Sequence, residues 1–92
     1  LAIEEFNQYL TKNSSDYIAY YLIGDSYYNM HIYDIALEYF NKSYDINPGH
    51  IKSLYSVGSC YLKLNDNKKA ARIFKSIIKT NTSFLSKSNL SI

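Results

Sequence analysis

The sequence predicts an all-α fold, an α-solenoid of antiparallel helix-turn-helix repeats, and three observations predict it. The chain repeats a spaced pattern with a period of 34 residues. Within each period the apolar residues fall at i, i+3, i+4 and i+7, the stripe of an amphipathic helix. Short polar breaks, several carrying residues that tolerate left-handed backbone, separate these stripes. A fixed period of this length marks a repeat array in which each unit buries its apolar face against the next.

The first element is a helix over residues 1–12. Leu1, Ile3, Phe6, Tyr9 and Leu10 share one face, with Glu4, Glu5, Gln8 and Lys12 on the others. This reads as the second helix of a partial repeat spanning residues 1–16. Because its pairing helix is missing, Ile3, Phe6 and Leu10 are expected to be partly uncovered, and the chain reads as a fragment of something longer. Asn13-Ser14-Ser15-Asp16 ends the helix, and Asp16 is placed to cap the next one.

Residues 17–50 form the first full repeat. Its first helix runs from 17 to about 30, with Tyr20, Ile23, Gly24 and Tyr27 as the core stripe. Glycine inside a helix costs about 1 kcal/mol against alanine. Close approach of the paired helix explains its presence, with Ala36 expected to face it. His31 stands at the turn, where histidine accepts a left-handed backbone better than most side chains. The second helix covers 33–46, with Ala36, Leu37, Phe40, Ser43 and Tyr44 inward, and Asn47-Pro48-Gly49-His50 ends it. Residues 51–84 form the second repeat, with helices over 51–64 and 67–80 and Asn65 at the turn. Thr82 stands in the place of Pro48 and leaves the exit from this repeat open. Residues 85–92 lose the frame and read as a tail or capping segment.

The recurring frame is Tyr20-x-x-Ile23-Gly24-x-x-Tyr27 with Ala36-x-x-x-Phe40, then Leu54-x-x-Val57-Gly58-x-x-Tyr61 with Ala70-x-x-x-Phe74, and Ala2-x-x-x-Phe6 for the partial copy. It resembles the tetratricopeptide repeat family. The resemblance covers residues 1–84, about two and a half repeats, and implies that stacked first helices line a concave face. It also implies a non-catalytic protein–protein interaction module of scaffold, adaptor or co-chaperone type that takes a peptide or protein segment in that groove.

Composition narrows the alternatives. The 92 residues are 47% hydrophobic and 20% charged, the range of a single small globular domain rather than a disordered chain. The abundance of Tyr, Asn, Lys and Ile reads as coding bias. A single cysteine, Cys60, cannot close an internal disulfide and favours a reducing, cytoplasmic setting. No apolar run approaches the ~20 residues of a membrane span, and no signal peptide is apparent. Cys60 with His31 or His50 is the single candidate nucleophile–base set. The thiol falls mid-helix and both histidines at helix ends, with no third residue to orient them. Two histidines and one cysteine at unrelated spacings form no metal-ligand pattern, and the three glycines form no phosphate loop. No enzyme, cofactor or metal centre is expected.

The groove is the stronger candidate site. One residue round from the core stripe, the first helices present Ile18, Tyr21, Asp25, Tyr28 and Asn29, then Lys52, Tyr55, Ser59 and Leu62, with Lys63 beside them. Tyrosine suits recognition because a rigid apolar ring carries a hydroxyl. The competing expectation is that Tyr21 and Tyr55 stack on each other as ordinary packing between repeats. One subgroup of the resembled family clamps chaperone C-terminal carboxylates with Lys, Asn and Arg. Aligned as second and third repeats, the chain offers Lys52 but has Leu22 and Ser56 in place of Asn and Arg. Aligned as first and second, it has Tyr21 and Asp25, and an Asp repels a carboxylate. The clamp is disfavoured.

Charge is strongly polarised. Residues 1–50 carry two basic and seven acidic side chains, net −5, and residues 51–92 carry eight basic and one acidic, net +7. Lys68, Lys69, Arg72, Lys75 and Lys79 crowd the helix over 67–80. A weak anion-binding surface there is an alternative function. Nucleic acid is disfavoured as a partner because that face has no interleaved aromatics. End-to-end self-association into a homo-oligomer, acidic front against basic back, is the remaining alternative.

Overall fold

The computed structural model describes residues 2–90, with side chains described for residues 3–79. Five helices follow in order: α1 (Ala2–Lys12), α2 (Tyr17–Asn29), α3 (Tyr33–Ile46), α4 (Ile51–Lys63) and α5 (Asn67–Leu90). Each packs on the next along an elongated body of 49 × 32 × 16 Å. The architecture is the all-α solenoid that the period predicts.

The breaks are built as the residues suggest. Asp16 caps α2, accepting from the backbone N–H groups of Ile18 and Ala19 at 3.0 and 3.3 Å. The Tyr9 hydroxyl donates to the same carboxylate at 2.7 Å, tying α1 to the start of α2. That hydrogen bond, with the two backbone donors, holds the Asp16 carboxyl below its ordinary pKa. At the turns inside each repeat, His31 and Asn65 adopt φ of 64° and 65°. Ile32 N–H reaches back to the Tyr27 carbonyl and His31 N–H to that of Tyr28. Asp66 and Asn65 make the same pair of bonds to Tyr61 and Leu62. Both are Schellman closures, with a non-glycine residue in the left-handed position.

The core lies in two layers. Leu10, Ala19 and Ile23 join α1 to α2, with Tyr20, Tyr27 and Tyr39 against them. Ala36, Phe40, Val57 and Cys60 join the two repeats, with Leu37, Tyr61 and Ile73 around them. Ile3 and Phe6 are half-buried, but Leu10 is buried rather than uncovered, because it reaches the Ala19–Ile23 surface of α2.

Two further expectations are corrected. The residue facing Gly24 is Phe40, whose ring atoms are the nearest neighbours of a Cβ built there, rather than Ala36. One helical turn separates the two residues, and the larger ring fills the space the glycine leaves. The last helix does not stop near Thr80 but continues to Leu90. Its counterpart α3 ends at Asn47-Pro48, where proline cannot supply the next N–H. Thr82 imposes no such stop.

Candidate functional site: an aromatic cleft between α2 and α4

The first helices of the two full repeats, α2 and α4, flank a cleft of about 230 Å³. From α2 come Tyr21, Asp25 and Tyr28, spaced one turn apart on one face, and from α4 come Tyr55, Ser56 and Ser59. Phe40 of α3 forms the floor. Of the nine residues that the sequence assigns to the groove, five therefore meet around this cleft. Asn29, Lys52 and Leu62 are exposed but lie outside it, and Ile18 belongs to a different depression. Phe40 and Ser56 were not anticipated as lining. Phe40 carries a core signature in sequence and is buried against Gly24 at the base of the cleft.

The rings are held from behind. Tyr21 leans on Phe40 at 5.5 Å between centroids and 52°, and Tyr55 on Phe74 at 5.4 Å and 58°. The same contact thus recurs one period along the chain. Tyr21 and Tyr55 consequently face their own second helices rather than stacking on each other. Tyr28 stands edge-on to Tyr33 and Phe40. Burial pushes its phenol above the ordinary pKa. Tyr55 is 58% exposed and presents its outer face to solvent. Asp25 is exposed and makes no hydrogen bond or ion pair among the described residues.

Tyr21 is fixed further by His50, whose ring lies edge-on to it at 5.1 Å and tilted against Tyr17 at 5.1 Å. Behind His50 runs a buried polar relay that sequence patterning does not reveal. Ser43 Oγ donates to the Tyr17 carbonyl at 2.7 Å, because a carbonyl can only accept. Ser53 must then donate its hydroxyl proton to Ser43 Oγ at 2.8 Å. His50 Nδ1–H completes the chain by donating to Ser53 Oγ at 2.6 Å. The relay ties α2, α3 and α4 together at the joint between repeats. Burial, with the nearby Lys52, pushes the His50 pKa below its ordinary value.

The remaining candidates for chemistry are engaged elsewhere. Cys60 is fully buried in α4, and burial pushes its thiol up to about 11. His31 Nδ1 is in hydrogen-bond contact with the Tyr33 hydroxyl. Among the described residues no three His, Cys, Asp or Glu side chains group to hold a metal, and no helix is long and apolar enough to cross a membrane.

Stacked helix pairs with a first-helix cleft define a class of protein, the tetratricopeptide-type interaction module. The chain belongs to the family described as "Anaphase-promoting complex, cyclosome, subunit 3", whose model matches residues 2–77. Among solved structures it is similar to two crystal structures of MamA, at TM-scores of 0.84 and 0.83 and 26% identity in each case. Each match covers 91% of this chain and 46% or 49% of the MamA chain, so this chain spans less than half the length of those relatives. No match is found among curated protein sequences.

Proposed function

We propose that the chain is a non-catalytic binding module that takes a peptide or protein segment along the α2–α4 face, with Tyr21, Asp25, Tyr28, Tyr55 and Ser59 as its contact surface. The observation that carries this reading is the cleft itself: three tyrosines and an unpaired carboxylate converge there over a Phe40 floor. Rings locked by packing behind them lose little freedom on binding, so their contact area converts efficiently into affinity. A photo-reactive benzoylphenylalanine at Tyr55 tests the reading. Cross-linking to a partner segment from the source proteome is expected there and not from the same group at Lys68. The reverse pattern would transfer the function to the basic helix and overturn it.

A second reading rests on a separate depression. Between α1 and α2, Phe6, Tyr9, Ile18 and Leu22 line a cleft of about 310 Å³, with Glu5 and Asp16 at its edge. Ile18 and Leu22 are 41% and 39% exposed there. This apolar, acid-edged end is complementary to the basic α5 of a second copy, which supports self-association through the ends. Sedimentation at rising salt is expected to show dimers dissociating, and a monomer at all concentrations would exclude the assembly.

A further inference from the structure

Lysine and tyrosine pair repeatedly over the surface of this chain. The Lys42 ammonium lies 5.1 Å from the Tyr39 ring centroid and 5.8 Å from that of Tyr20. Lys63 lies 6.0 Å from Tyr33, and Lys69 lies 5.6 Å from Tyr61. These are distances at which the ring quadrupole attracts a cation. Among the described residues the three tyrosines that line the α2–α4 cleft, Tyr21, Tyr28 and Tyr55, carry no such cation.

The same cleft holds an unsatisfied negative charge. Among the described residues Asp25 is the only charged one that lines it, and no ion pair neutralises it. Tyr21 and Tyr28 are inclined to the Phe40 floor by 52° and 61°, so the rings form tilted walls rather than a flat stack. Tilted walls suit a compact ammonium on an aliphatic stem. A guanidinium instead gains most by lying flat along a ring face.

We infer that the cleft selects a lysine-type ammonium side chain on the bound segment, seated between the Tyr21, Tyr28 and Tyr55 rings with Asp25 as its counter-ion. Rings and carboxylate then act together. The rings shield the stem and attract the charge, and Asp25 supplies the single full negative charge. This selectivity rests on the groove reading above and adds the chemistry of its occupant. A carboxylate-bearing segment is rejected by the same Asp25.

The test is a titration of the isotope-labelled 92-residue chain, followed through its backbone amides, with three acetylated, amidated residues: lysine, norleucine and glutamate. Lysine is expected to shift the Asp25, Tyr28 and Ser59 amides saturably. Norleucine, which keeps the stem and lacks the charge, is expected to bind at least fivefold more weakly, and glutamate not at all. Asp25→Asn and Tyr55→Leu both change exposed side chains, so the fold is retained, and each is expected to reduce lysine binding at least fivefold. If norleucine binds the cleft as tightly as lysine, or Asp25→Asn has no effect, the ammonium selectivity is overturned while the groove reading stands. If no probe moves the cleft amides, the selectivity is also overturned, and the Tyr55 cross-link alone decides the groove reading.

Discussion

Gly24 lies directly against the ring of Phe40: a Cβ at that position would come within 2.8 Å of Cδ1 and 2.9 Å of Cε1. Gly58 repeats the relationship with Phe74, at 2.9 Å from Cε1 and Cζ. The two sites differ in the freedom of the ring. Phe40 is 1% exposed and wedged between repeats, whereas Phe74 is half-buried on the last helix. Changing Gly24 to Ala gains about 1 kcal/mol of helix propensity but presses on a buried ring, an overpacking that costs roughly 1–3 kcal/mol. Gly24→Ala should therefore be neutral to destabilising and Gly58→Ala, whose Cβ also meets Ile73 Cγ2 at 3.1 Å, near neutral, with Gly24→Leu the most damaging. Denaturant midpoints of the three variants check the order, and equal stability of Gly24→Leu and the parent would contradict the helix-pair register.

Acid should loosen the joint between repeats. The folded-state pKa of His50 is lowered by burial and Lys52, so the unfolded chain binds that proton more readily. The penalty is absent well above the ordinary value of 6.5, grows as pH falls through it, and stops growing below the folded-state pKa. Urea melts at pH 8, 6.5 and 5 should show this decline, and a His50→Gln variant should lack that component. Asp16 adds a separate limb at lower pH. Its lowered carboxyl stabilises the fold above 3.8, and this contribution is lost as pH falls through the folded-state value.

Cys60 should behave as packing rather than chemistry. It is 0% exposed and its thiol is pushed up to about 11, so almost no thiolate exists at neutral pH. In the folded chain, reaction with a thiol-disulfide reagent should be slow and rise sharply with denaturant. Fast labelling under native conditions would show that the α3–α4 layer opens.

The period carried most of the fold into view. Gly, Tyr, Ala and Phe at fixed intervals fix which faces meet, and His31 and Asn65 mark the left-handed turns by residue type alone. The end of α5 was not legible, because only a proline or a cap residue announces a helix stop, and Thr82 is neither. Site residues were legible as a helix face but not as a depth. Tyr55 and Lys52 share the same predicted stripe, yet one lines the cleft and the other does not. The Ser43–Ser53–His50 relay was hidden for another reason. The helical spacing turns Ser43 inward, but nothing in it shows that Ser53 comes to meet that hydroxyl with His50 behind it.

Affinity for a bound segment, measured side by side in two double variants, tests the assignment of function to the α2–α4 cleft most directly. The segment is the one captured by the Tyr55 cross-link, and titration calorimetry reads its affinity. Tyr21→Ala with Tyr55→Ala should weaken binding by about 1–2 kcal/mol or more, since aromatic anchors dominate such surfaces. Lys68→Glu with Arg72→Glu, on the basic helix outside the cleft, should change it little. Loss of binding on charge reversal, with the tyrosine pair silent, would contradict the assignment and move the function to α5.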